Sequence, residues 1–463
     1  MRLSHPLKRT VMMTVLACAG LLVAPSQTLA QPDGFDGSKA RVNLSNKLEM
    51  LTQTIASASC RASAGIAADA AVAELEAARI QFNTIIDGLQ QGDMALGIPS
   101  AESNRVVLAS IEKVLSAWEP IDGAAEALVS DALGKIRAAE IIATSNLSLL
   151  EATEILASDI SGRYSNPNEL TQADAMALKI AGRQRMLGHR ITKEVCGIVT
   201  ASDTVGTVDA LGQSLDMYSI SLTALRDGMA AAGVNPPPND IIKEELAAVS
   251  ETWGQSKSVL DAIRGGMAPT AENVESLAEV STALMTDMSN VVTLYMLSTP
   301  GQEDVYRVPL QAYAESQLAQ WLENPELIDA VKAQNSAHAG LSQADVDQLD
   351  LDWRAQRKAD AKPLIDGVLA RPMSQWLKEQ QSQTANFVTE VFAMDNVGLN
   401  VAQSTVTSDY WQGDEAKWQN TFGNGSGDIH ISEVEYDDST GSYQSQVSMP
   451  IKDPASGELI GAI

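Results

Sequence analysis

The residues able to do chemistry are few and widely spread. Four histidines, His5, His189, His338 and His430, occur in 463 residues. Their spacing suits no zinc site, and His189, beside Arg190, reads as a helix-surface residue. No Ser–His–Asp order, nucleophile elbow or glycine-rich phosphate loop occurs. Asp437-Asp438-Ser439-Thr440-Gly441 lacks the ligand spacing of a calcium loop and reads as a hairpin tip. These absences point away from an enzyme, and neither cofactor nor metal is expected. Three groups remain. Cys60 and Cys196 either bond or stay as two buried thiols. Glu49 and Arg185 are charges set among small and apolar neighbours. Asp409, Tyr410, Trp411, Asp414 and Trp418 share one short stretch. Aromatic walls with carboxylates suit a small organic cation or amine, through cation–π and ionic contacts. The alternative is that Trp411 and Trp418, seven apart, pack a helix onto a sheet. Asp395, in Asp395-Asn396-Val397-Gly398, reads as a turn former.

Helices must position the first two groups. Residues 36–300 read as helix nearly throughout, with breakers at Gly97-Ile98-Pro99, around Ser165 to Asn168, and at Pro236-Pro237-Pro238. An internal repeat underlies them. Leu44-Ser45-Asn46-Lys47-Leu48-Glu49-Met50-Leu51 aligns with Ile180-Ala181-Gly182-Arg183-Gln184-Arg185-Met186-Leu187. The same offset of 136 carries Ile55 onto Ile191 and Cys60 onto Cys196. Allowing small gaps, Asp87-Gly88 pairs with Asp227-Gly228 and Trp118 with Trp253. Two copies of one helical unit are expected, about 36–165 and 166–300.

On a helical wheel, Ile180, Leu187, Ile191 and Val195 form the ordinary core stripe. A second face carries Ala181, Arg185, Gly188, Thr192 and Cys196. The first copy repeats it with Ser45, Glu49, Thr52, Ala56 and Cys60. Small residues let helices approach closely. A pseudo-twofold relating two such faces would bring Glu49 near Arg185 and Cys60 near Cys196. A Cys60–Cys196 disulfide is therefore expected, worth on the order of 4 kcal/mol in the chain-entropy model. Two buried free thiols are the alternative.

Ala181-Gly182-Arg183-Gln184-Arg185-Met186-Leu187 resembles the repeated motif in the N-terminal sensory region of the type IV pilus methyl-accepting chemotaxis transducer (PilJ-like). It is also similar to a segment of nitrate and nitrite sensor kinases. In those sensors, an arginine aligned with Arg185 comes from each of two subunits, and the pair holds one anion between parallel helices. The resemblance implies an all-helical bundle and an anion site at Arg185. This chain has Glu49 where the second arginine would stand. An internal Glu49–Arg185 salt bridge would cancel the site, whereas a homodimer pairing Arg185 with Arg185 would keep it.

Past Thr299-Pro300-Gly301 the character changes, and five of the seven tryptophans follow. Residues 303–385 still read as helical, for example Leu310 to Leu322 and Pro372 to Gln383. Over 387–463 the pattern is strand and turn. Strands are expected at Phe387 to Met394, Leu399 to Gln403, Ile429 to Tyr436, Tyr443 to Ile451 and Leu459 to Ile463, with a helical excursion near Gly413 to Phe422. Met394 through Asn400, the stretch from Ser408 to Trp418, and the last hairpin resemble Cache and PAS-like extracytoplasmic sensor domains. The expected class is thus α+β and multidomain: a helical bundle from two repeats, then a Cache-like antiparallel sheet over 301–463 with flanking helices.

The N-terminus reads as an export signal over residues 1–30. Arg2, Lys8 and Arg9 precede an apolar run from Val11 to Pro25, and Thr28-Leu29-Ala30 offers a cleavage point. An uncleaved anchor is the alternative. No second apolar stretch of spanning length follows, so a soluble periplasmic protein is expected, with a membrane-bound receptor or kinase as its output. The formal charge is −27, from 32 basic and 59 acidic side chains. That argues against nucleic acid and anionic membrane surfaces as partners. The expected ligand is a small molecule: an amine, an amino acid or an anion.

Overall fold

The computed structural model describes residues 37–130, 134–164, 172–298, 304–384, 387–437 and 440–463. The export segment, the breaker near Ser165 and the boundary at Thr299 lie outside these residues.

Eight long helices make up the first two thirds of the described chain. They are α1 Ser38–Ala64, α2 Ala68–Gln91, α3 Arg105–Val129, α4 Lys135–Tyr164, α5 Gln172–Val199, α6 Val208–Asp227, α7 Asp240–Arg264 and α8 Ala271–Leu297. Their ends carry the expected signals. Gly65 terminates α1 at φ 73°, and Ile66 N–H reaches back to Arg61 O at 2.9 Å. Asn104 caps α3 by accepting from Val106 N and Val107 N. Thr270 and Asn273 form a reciprocal capping box at the start of α8.

The helices fall into two units of four, α1–α4 and α5–α8, and the units repeat in detail. In the first, Phe82 stacks on Trp118 with centroids 4.1 Å apart; in the second, Tyr218 stacks on Trp253 at 4.0 Å. Each second helix ends on a glycine at positive φ, Gly92 at 81° and Gly228 at 79°. A tight loop follows each, closed by the bridges Asp93–Ile98 and Met229–Val234. The equivalence of Asp87-Gly88 with Asp227-Gly228 is thereby corrected. Gly228 corresponds to Gly92, because what the two copies share is a positive-φ residue at the helix end rather than an Asp-Gly pair. The offset of 136 therefore runs unbroken from Leu44 to Ile98.

α1 and α5 form the seam between the units and run parallel in register. The pairing of Cys60 with Cys196 and the contact of Gly182 with Asn46 share the same offset. A Cβ on Gly182 would sit 2.9 Å from the Asn46 Cβ, so only glycine allows this approach. One continuous apolar core runs through both units, from Val42 and Leu48 to Val292 and Tyr295.

The C-terminal unit begins with α9 Arg307–Tyr313, which passes through a wider turn at Ala314–Leu318 into α10 Ala319–Trp321. Next come α11 Pro325–His338, α12 Gln343–Arg357, α13 Pro363–Leu369 and α14 Pro372–Ser382. The strands among the described residues are β1 Phe392–Met394, β2 Asn400–Gln403, β3 His430–Ile431, β4 Glu435–Asp437, β5 Ser442–Gln444, β6 Val447–Ser448, β7 Pro450–Lys452 and β8 Leu459–Ala462. The short helix α15, Ala416–Trp418, lies between β2 and β3. The main sheet is antiparallel in the order β2-β1-β8-β7. One face packs Ala393, Val401 and Ile451 against Leu327, Val331 and Leu377 of α11 and α14. A third cluster joins Trp353, Ile365 and Val368 to Leu399 and Tyr410.

Three strands are shorter than the sequence pattern suggests, and the run expected from Tyr443 to Ile451 divides into β5, β6 and β7, each in a different sheet. Before Phe392, side chains replace the ladder: Thr389 Oγ1 donates to Gln444 Oε1, and Thr405 Oγ1 donates to Glu390 Oε1. The run from Ile429 to Tyr436 divides into β3 and β4, in different sheets, and Tyr306 Oη binds Ser432 O at the break. The β4–β5 hairpin docks on the helical bundle. Asn290 of α8 donates to Gly441 O and accepts from Tyr443 N, both at 3.1 Å.

Candidate functional site

The seam places Glu49, Arg185, Cys60 and Cys196 together, as the repeat implies. Cys60 and Cys196 are bonded, with their Cα atoms 6.4 Å apart. The Glu49–Arg185 salt bridge is not made. Arg185 Nη2 instead donates to Asn43 Oδ1 at 3.1 Å, and its buried Nε has no partner among the described residues. Helical side chains lean toward the helix N-terminus, which takes the guanidinium to Asn43, six residues before Glu49. Each group still feels the other. Burial raises the Glu49 carboxyl to about 7; Glu154 adds to the rise, and Arg183, Lys179 and Arg185 oppose it. Burial lowers Arg185 to about 10 against the pull of Glu49, and lowers Lys47 to about 8 with help from Arg185.

A pH dependence follows. Folded protein keeps the Glu49 proton up to about pH 7, while the unfolded chain loses it near 4.5. Folded protein therefore binds more protons between those values, and stability falls as pH rises through them. The loss is on the order of 3 kcal/mol. Glu49→Gln is expected to flatten this decline and to leave the variant more stable than wild type at about pH 8. Urea midpoints of both proteins at acid and alkaline pH measure it; parallel declines would remove Glu49 as the cause.

His189 is buried, which corrects its reading as a surface residue. It follows Arg185 by four positions and precedes Cys196 by seven, so it lies on the seam. Its Nδ1 is 3.8 Å from Glu74 Oε1, and its Nε2 has no partner among the described residues. Burial depresses its pKa, Glu74 opposes this, and Arg61 adds to it. The small-residue face is also divided between two neighbours. Ser281 of α8 donates to Gly188 O at 2.9 Å and lies 2.7 Å from Thr192 Oγ1.

In the C-terminal unit, the five polar and aromatic candidates gather around the turn at Asp395. Tyr410 is buried and stacks on Trp353, centroids 5.1 Å apart. Trp411 Nε1 donates to Val397 O at 2.8 Å, and Trp418 Nε1 to Asp395 O at 3.1 Å. Asp409 pairs with Arg354 at 3.2 Å, whose charge Asp414 also supports. Both indole N–H groups thus close backbone carbonyls of the turn. Asp395 is wholly buried and accepts from Val397 N, Leu399 N and Gln334 Nε2, with His338 Nδ1 at 2.7 Å.

Sequence reasoning missed a cavity at the joint of the two parts. About 540 Å³ lies where the helical bundle meets the C-terminal unit. The bundle supplies Lys39, Leu96 and Met296 to its wall. The C-terminal unit supplies Tyr306, Leu310, Tyr313, Trp321, Phe387, Phe392, Lys417, Tyr443 and others. None of Asp409, Tyr410, Trp411, Asp414 or Trp418 lines it. A second hollow of about 510 Å³ runs between α11 and the start of α14, beside His338 and Arg371. Among the described residues, no group of three or more His, Cys, Asp or Glu side chains could hold a metal. No helix among them is long and apolar enough to cross a membrane.

The family model for the type IV pili methyl-accepting chemotaxis transducer N-terminal region, PilJ, matches residues 35–144 and matches again at 169–277. Each of the two helical units thus matches the model of that family, which indicates a transducer-like signalling role. The matches span α1–α3 and α5–α7 with the first turns of the helix after each, in keeping with two copies. No curated protein matches the chain.

Proposed function

We propose that this chain is an extracytoplasmic sensor that binds a small molecule and relays its presence to a membrane-bound receptor or kinase. The observation that carries the reading is the cavity at the joint. Its wall is shared between a bundle of transducer family and a sheet unit, so a bound molecule touches both at once. Through Lys39 and Met296 it reaches the start of α1 and the end of α8; through Tyr443 and Gln444 it reaches the hairpin docked on α8. A ligand that favours one seating of the hairpin over another shifts the arrangement presented to a partner. A cavity of this volume and lining lies within the range of small-molecule sites.

A second reading places a small anion at Arg185, favoured by the unpartnered Nε in the seam. Thermal unfolding with amines, amino acids, carboxylates and nitrate separates the two. A saturable rise in Tm that is lost in Phe392→Ala supports the joint cavity. A rise with nitrate lost only in Arg185→Ala supports the seam. No rise with any compound, together with co-purification of an envelope partner, would overturn ligand sensing in favour of an interaction module.

A further inference from the structure

We infer that the joint cavity takes an uncharged, largely apolar molecule, such as a long-chain alcohol or ester, and binds acids and amines of the same shape less well. The inference rests on the reading of that cavity as the ligand site and names the class of ligand.

The body of the ligand follows from the wall. Tyr313 and Phe387 meet edge to face with centroids 4.9 Å apart, and Leu310, Trp321, Phe392 and Met394 continue an apolar lining. Phe387 leaves 39 % of its surface uncovered. Covering such a wall with an apolar body removes area from water on both sides, which favours binding in proportion to that area. A small hydrophilic ion gains none of this.

The head group follows from the balance of charge. Among the described residues, the charged side chains of the lining are Lys39, Glu390 and Lys417, and each is already engaged. Lys39 reaches from the first turn of α1 to the carbonyl of Met296, in the last turn of α8, where helical carbonyls lack an intrahelical donor. Lys417 pairs with Glu415 at 2.8 Å and lies 5.2 Å from the Phe392 ring centroid. Glu390 accepts from Thr405 Oγ1 at 3.2 Å, and Lys417 favours its charged form. The wall therefore shows both signs, and neither is left over. An entering carboxylate meets Glu390, and an entering ammonium meets Lys39 and Lys417. Either head sheds hydration without gaining an unpaired counter-charge. A neutral head sheds far less, so the apolar body decides the affinity.

The test is displacement of the neutral probe N-phenyl-1-naphthylamine from the full chain, with every competitor below its micelle and solubility limits. Phe392→Ala, which removes part of the wall, should weaken the probe. In wild type, decanol is expected to displace at about a tenfold lower concentration than decanoate or decylammonium, the loss that follows when a charged head finds no partner. Along hexanol, octanol and decanol, each added pair of methylenes should lower the concentration needed about fifteenfold. Glu390→Gln removes the negative sign from the balance and should draw decanoate level with decanol. Decanoate that still lags there would remove the balance of charge as the cause. Equal displacement by decanol, decanoate and decylammonium in wild type, or tightest binding of either charged competitor, would overturn the inference and leave the cavity as the site. A probe that does not bind, or that binds Phe392→Ala as well as wild type, would sink the cavity reading itself.

Discussion

Replacing both Cys60 and Cys196 with alanine is expected to cost the helical half of the protein about 5 kcal/mol of stability in the chain-entropy account. The bond closes a loop of 136 residues, so its absence releases a large ensemble in the unfolded chain. The cost should be felt through both helical units, because one apolar core runs through them and α1 and α5 form its centre. Thermal unfolding of wild type, with and without reductant in the unfolded state, and of the double alanine variant measures it. Thiol titration of unfolded, unreduced protein adds a direct check. Reactive Cys60 and Cys196 there, or an unchanged unfolding midpoint in the variant, would refute the crosslink as a stabilising element.

Asp395→Ala should be the most damaging single change in the C-terminal unit, at about 3–5 kcal/mol. The carboxylate is wholly buried and holds four donors at once. Val397 N and Leu399 N fix the turn between β1 and β2. Gln334 and His338 fasten α11 onto the sheet. Truncation leaves these donors facing a void. The loss should be local, since Ala393 and Val401 belong to a core separate from that of the helical units. Hydrogen exchange should rise in α11, β1 and β2 and stay unchanged in α1 and α5. Equal loosening of the bundle would show the two cores to be one cooperative unit. Asp395→Asn is expected to cost less, because its oxygen still serves the turn while its amide confronts the remaining donors.

How much of this was legible in the chain varies with the distance over which the pattern is written. The seam was legible because a repeat states its own geometry. An offset of 136 that carries Cys60 onto Cys196 also fixes the register of two parallel helices. His189 was misjudged from its neighbour Arg190, although its spacing from Arg185 and Cys196 puts it on the seam. The pairing of Asp87-Gly88 with Asp227-Gly228 followed identity, when the backbone demanded a left-handed glycine at each helix end. The Glu49–Arg185 bridge failed on side-chain direction, which a helical wheel does not display. The joint cavity could not be read at all. Its wall comes from the start of α1, the loop after α2, the end of α8, the α9 region and several strands, and no local periodicity links them.

The tandem copies share one polypeptide, and this frees them from a constraint that binds homodimers. Across an isologous axis every substitution appears twice, so like side chains oppose each other at equivalent positions. Here Glu49 and Arg185 occupy equivalent positions with opposite charge, and each occurs once. The two sides can diverge independently, as in a heterodimer, yet their ratio is fixed at synthesis and neither half can be exchanged for another. Asymmetry at the axis is thus heritable in a way that no pair of identical chains could make it.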